Sequence, residues 1–193
     1  MRTVKPEARL VGIDDAPFEF EDEATTLVGT VFRGGDYLEA VLMDEVTVDG
    51  LDATDTITGM VTEGRHAEQV QAVLLDGITV AGFNVVDLER LAADADVPVV
   101  AVSRTEPGSD GMERGLENVD RAAERRARID AAGAALQHGT GAGTVHFQYA
   151  GTDEATAREL LDVATVRGQL PEPIRVSHLI GAALEHGASR GGA

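Results

Sequence analysis

The chain has 193 residues and no cysteine, and 43% of it is hydrophobic; this suits a single globular domain over 1–193 and excludes disulfides, thiolate metal sites and cysteine nucleophiles. Acidic residues outnumber basic ones 34 to 16, for a formal charge of −18, and no stretch approaches the roughly 18 consecutive apolar residues that would span a bilayer. The polar start, Met1 to Arg9, carries no secretion signal, so the cytoplasm is the expected location.

In chain order, Arg9–Ile13 is a short apolar run that reads as a buried strand with Asp14 and Asp15 at its end. Thr25–Phe32, Tyr37–Met43 and Glu45–Val48 have strand-like composition and suggest an antiparallel meander, with Gly34-Gly35-Asp36 closing a hairpin. Ile57, Met60 and Val61 then fall at helical spacing, and a second short helix is expected from His66 to Val70. Val73–Leu75 is a buried strand ending in Asp76-Gly77, Asp87–Asp94 a helix, and Val97–Val102 another buried strand. The Ala- and Arg-rich stretch from Ala122 to Leu136 predicts one helix. Val145–Ala150 reads as a late strand, Asp153 caps a helix to about Val166, and Ile174 to about Glu185 forms the last helix. Antiparallel strands followed by helix–strand–helix–strand is the order of an α/β, ribonuclease H-like mixed sheet flanked by helices. The parallel part would set the C-terminal ends of the Leu10–Ile13 and Val73–Leu75 strands side by side, the edge where such sheets carry ligands.

Asp14 and Asp76 stand at those two strand ends. Two carboxylates meeting there make a hard oxygen site suited to Mg²⁺ or Mn²⁺, ions able to activate water and stabilise phosphoryl charge. Strand-end aspartates also simply cap turns, and Asp76-Gly77 is a good turn dipeptide. Asp15 competes with Asp14, since adjacent strand residues face opposite ways. Asp52 and Asp55 precede the first helical stretch and could supply a third carboxylate, although Asp55 fits an N-cap equally well. Arg104, after the Val97–Val102 strand, could hold a phosphate bidentately. His66, His146 and His178 could orient water or phosphate, and Arg175 and His178, three apart, share a helix face. The loop Gly77–Asn84 places two glycines and an asparagine beside Asp76, as backbone packed against a ligand would require; no dinucleotide-binding Gly-x-Gly-x-x-Gly is present.

The carboxylates are scattered along the chain rather than gathered in a tail, and of the 16 basic residues only Lys5 is a lysine. This is the surface expected of a halophilic protein, for which overall charge says little about nucleic-acid binding and only local arginines and bound metal count. At molar salt the Debye length shrinks to about 3 Å and carboxylate repulsion is screened. The thermal midpoint should therefore rise on going from dilute to molar KCl; a flat or falling midpoint would remove the halophilic reading.

The segments Gly12–Phe18, Leu74–Asp87 and Pro171–His178 together resemble an archaeal family related to endonuclease V, whose members are described as deoxyuridine endonucleases. The resemblance covers nearly the whole chain. It implies a metal-dependent endonuclease, active on DNA containing a deaminated base, chiefly deoxyuridine, in DNA repair. Asp14 matches the aspartate that closes the first strand in endonuclease V, and Asp76 the one in its Asp-Gly motif. Arg104 falls where that enzyme has a lysine. Its intervening glutamate has no clear match; Asp55, 21 residues before Asp76, has a similar spacing but different surroundings. The Tyr-Ile-Pro-Gly wedge of endonuclease V is missing, which is consistent with a different lesion preference. Two other readings stay open, a nuclease for RNA or structured DNA and a non-catalytic binding protein with the same fold.

Overall fold

A computed structural model describes residues 4–19, 21–108 and 115–189. Among the described residues, seven strands form one mixed sheet in the order β3 (Tyr37–Thr47), β2 (Ala24–Arg33), β1 (Arg9–Asp15), β4 (Ala72–Asp76), β7 (Val99–Ser103), β9 (Gly143–Ala150) and β8 (Leu136–Thr140). The first three, β1 (Arg9–Asp15), β2 (Ala24–Arg33) and β3 (Tyr37–Thr47), are antiparallel neighbours. The β2–β3 hairpin turns through Gly34, whose φ of 61° favours a residue without Cβ. Parallel pairing then runs from β1 to β4 (Ala72–Asp76) and on to β7 (Val99–Ser103). β4 and β7 are short, almost wholly buried apolar runs, as parallel strands covered on both faces must be. This is the ribonuclease H-like arrangement expected of the sequence.

Two cores lie on opposite faces of the sheet. On one, Val11, Ile13, Val73 and Leu75 pack against α1 (Ala53–Thr62) and α2 (Leu88–Ala95). Ile57, Met60 and Val61 are the buried stripe of α1 that their spacing predicts. Asp87 caps α2 by accepting from the Arg90 amide at 3.0 Å. On the other face Leu10, Leu74 and Val100 pack against α4 (Glu154–Ala164), capped by Asp153, and α5 (Glu172–His186). No helix among the described residues is long and apolar enough to cross a membrane.

Several local expectations are refined. Tyr37–Met43 and Glu45–Val48 are parts of one strand, β3, because Asp44 lies at a solvent-exposed edge position that a strand tolerates. The stretch from His66 to Val70 contains only a 3₁₀ turn, Ala67–Gln69. The helix predicted from Ala122 to Leu136 is α3, Ala122–Ala131; Gly133 enters the left-handed region at φ 73° and stops it, and Leu136–Thr140 becomes the edge strand β8. The late strand is β9 (Gly143–Ala150), antiparallel to both β7 and β8, so the parallel part is confined to β1, β4 and β7. Within the loop after Asp76, Thr79–Val80 and Asn84–Val85 pair as a two-stranded ribbon, β5 and β6.

Candidate metal centre

Ile13 of β1 pairs with Leu75 of β4, so Asp14 and Asp76 follow at the same level on adjacent parallel strands. Strand alternation puts Asp14 on the face of Gly12, the face covered by α5. The helix comes unusually close there. A Cβ on Gly12 would sit 2.3 Å from the Pro173 carbonyl carbon, and one on Gly181 would sit 2.9 Å from Ala16 Cα. Side-chain hydroxyls fix the seat: Thr30 Oγ1 donates to the Pro173 carbonyl at 2.7 Å, and Ser177 Oγ to the Gly12 carbonyl at 2.9 Å. The next residue, His178, is thereby brought onto Asp14, with Nδ1 2.9 Å from Oδ2.

Asp14, Asp76 and His178 each offer a ligand atom, and these atoms all lie within 4.8 Å of one another. Ligands on opposite sides of a divalent ion at about 2.1–2.4 Å stand about 4.2–4.8 Å apart, so three such atoms fit around one ion. The electrostatics agree. Burial, then the charges of Asp76 and Asp15, push the Asp14 carboxyl up to about 8, against opposing contributions from the Asp15 amide and Arg104. Burial also raises Asp76, while Arg104 and His178 pull it down. Two crowded carboxylates that resist ionisation together are a pair that a cation would relieve.

Arg104, exposed just beyond β7, is near enough to lower both aspartates electrostatically. Asp15 is outside the three-atom group. Burial raises its carboxyl, the Ala81 amide holds it down, and the charges of Asp76 and His178 still reach it. Asp55 is not brought to the group: it is exposed in the first turn of α1 and ion-paired with Arg90 of α2. Nor does it cap the helix. Asp52 holds that position, and its carboxylate accepts instead from Thr47 and from Asn84 of the ribbon. Arg175 pairs with Glu172 at 2.6 Å, separate from its helix neighbour His178. His66 accepts from Arg65 at 3.2 Å, and His146 lines a cavity beyond Asp76. His178 was one histidine among several in the sequence; the signal that singles it out is the neighbouring small residues, Ser177 and Gly181, which mark a helix face pressed against a strand.

This close seat has a direct consequence. Gly12→Ala must push α5 away from β1, an overpacking cost of about 1–3 kcal/mol, and draw His178 off Asp14. The variant should melt lower and bind Mn²⁺ more weakly, as measured by thermal unfolding and calorimetry. A parent-like midpoint and affinity would mean that α5 does not depend on this contact.

Comparison with known proteins places the geometry in context. The family model for endonuclease dU matches residues 6–185. A UPF0215 protein of Methanopyrus kandleri is 41% identical over 98% of this chain and 97% of its own length, and one of Archaeoglobus fulgidus is 37% identical over 95% and 97%. Among solved structures, a protein of unknown function from Archaeoglobus fulgidus is similar with a TM-score of 0.82 and 36% identity, over 93% of this chain and 99% of that one. Endonuclease V from Ciona intestinalis, in complex with a 24mer DNA containing an inosine followed by a ribo-adenosine, shares the fold: its TM-score is 0.58 at 12% identity, over 88% of this chain and 82% of that one.

Proposed function

Since this chain belongs to the endonuclease dU family, we propose that it is a divalent-metal-dependent endonuclease that hydrolyses a phosphodiester in DNA containing a deaminated base, chiefly deoxyuridine. The observation that carries this reading is the convergence of Asp14, Asp76 and His178 at the C-terminal edge of the parallel strands.

Asp14 and Asp76 would hold the ion, Mg²⁺ or Mn²⁺, with His178 as the third ligand or as the group that orients Asp14. The imidazole favours Mn²⁺ over Mg²⁺, which prefers all-oxygen surroundings. When bound, such an ion lowers the pKa of water and stabilises charge on the phosphoryl oxygens. The protein's own part is positioning. Asp14 Oδ1 accepts from the Asp15 amide at 3.0 Å and Oδ2 faces His178, so its carboxylate is held at both oxygens. With Nδ1 of His178 directed at Asp14, Nε2 is the ring atom left to hold or move a proton. Arg104, exposed and close to both aspartates, presents a guanidinium fork to a scissile phosphate. A positive group at this edge matters more than usual in a chain of net charge −18.

The test is Mn²⁺-dependent nicking of a duplex with one deoxyuridine, run at molar KCl beside undamaged DNA and RNA. Nicking confined to the deoxyuridine duplex is the expected result. Cutting of RNA alone would move the activity to RNA, and no cutting of any substrate with any divalent ion would leave a non-catalytic binding protein.

A further inference from the structure

β9 carries a glutamine where a core residue is expected. Val145, Phe147 and Ala150 of this strand are buried, and Gln148 is buried with them at 6% exposure. A buried amide normally has all its polar atoms paired. Gln148 Nε2 donates to the Gly133 carbonyl at 2.6 Å, but among the described residues nothing donates to its Oε1. That oxygen is not sealed off either, since Thr165 Oγ1 alone among the described buried side-chain atoms is both unpaired and closed to solvent. Gln148 also lines a cavity of about 220 Å³, together with Asp76, Gly77, Thr79, Ser103 and His146. His146 and Ser103 face one another in register across β9 and β7, and Gln148 lies two pairs deeper, opposite Ala101.

The Gly133 carbonyl orients the amide. Only Nε2 can face a carbonyl, so Oε1 is a fixed acceptor that cannot turn into a donor. The cavity is smaller than the roughly 300–1,000 Å³ of a typical ligand site, which limits it to a small group. Asp76, one of the two candidate metal-holding residues, is among those that line it.

We propose that this cavity holds the base of one unstacked nucleotide and that Gln148 Oε1 accepts a hydrogen bond from its imino N–H. This rests on the nuclease reading above and adds to it the group that reads the lesion. Cytosine and adenine present an unprotonated ring nitrogen on the pairing edge. Deamination converts it to N–H, at N3 of uracil and N1 of hypoxanthine. A fixed acceptor pairs with the N–H and opposes the bare nitrogen, leaving both acceptors unpaired in a buried site. Thymine and guanine also carry the N–H, but in duplex DNA they are normally paired, and extrusion is cheapest for a mispaired base such as uracil opposite guanine.

The experiment measures equilibrium binding, by fluorescence anisotropy at molar KCl with Ca²⁺, of single-stranded oligonucleotides differing at one base: uracil, N3-methyluracil or cytosine. Single strands remove differences in pairing. Uracil should bind about 10- to 100-fold tighter than either of the others, the effect of one hydrogen bond left unmade. Gln148→Met, similar in shape but without the acceptor, should shrink that ratio to within about twofold while Mn²⁺ affinity by calorimetry stays at the parent's value. Equal binding of the three oligonucleotides by the parent overturns the proposal, as does full discrimination by the variant. The parent comparison needs no substitution, so an unstable variant does not blunt it. A chain that prefers uracil but cuts nothing keeps the reader and loses the nuclease; one that nicks with Mn²⁺ yet treats the three bases alike keeps the nuclease and loses the reader.

Discussion

Asp76→Asn should hold the thermal midpoint at or above the parent's while removing Mn²⁺-dependent nicking of a deoxyuridine duplex. The amide keeps the shape of the carboxylate and removes its charge. In the metal-free fold that charge is costly, because burial raises the Asp76 carboxyl and its anion in turn repels Asp14. Stability therefore gains or stays level. Catalysis responds in the opposite sense, since a neutral amide is a poor ligand and the charge stabilisation it forfeits amounts to several kcal/mol, on the order of 10³-fold in rate. Asp153→Asn is the control. Asp153 caps α4 by accepting from the Thr156 amide at 2.8 Å, and its loss costs about 0.5–2 kcal/mol at most, with nicking intact. Undiminished nicking by Asp76→Asn would remove the metal centre as the seat of the chemistry.

The two aspartates were legible in the sequence because strand ends are. A short apolar run that stops at an acid locates both the strand and the carboxylate, and Leu10–Ile13 and Val73–Leu75 each do so. The cap at Asp153 was an equally local signal and appears as a helix start. What escaped depends on contacts distant in sequence. His178 reaches Asp14 across 164 positions, through a helix seat built by Gly12, Thr30 and Ser177, no one of which announces a ligand. β8 was missed because the Ala-rich composition continues through Gly133 to Ala135, and only the left-handed turn at that glycine ends the helix. Asp55 shows the reverse error. Its spacing from Asp76 suited a third ligand, but linear distance does not specify a helix face, and α1 turns it outward to Arg90.

Asp14→Asn should stabilise the metal-free protein increasingly as pH rises. The Asp14 carboxyl titrates near 3.8 when unfolded and about 8 when folded. Between those values the folded chain binds a proton that the unfolded chain has released, so each pH unit of rise costs the parent about 1.4 kcal/mol of stability from this group. The cost is absent below about 4, builds through the window and is complete above about 8. Asparagine has nothing to ionise and escapes it. Thermal midpoints in EDTA should thus be similar for parent and variant near pH 4.5 and diverge by pH 8.5, the variant melting higher. Relaxation and the coupled rise of Asp76 will shrink the gap below its full several kcal/mol, but not change its sign. Adding Mn²⁺ at pH 8.5 should reverse the order, because the ion binds the folded, ionised parent and stabilises it by mass action, whereas the variant lacks the ligand. Parallel pH curves for the two proteins would mean that Asp14 is not buried against Asp76, and an Mn²⁺ shift of equal size in both would place the ion elsewhere.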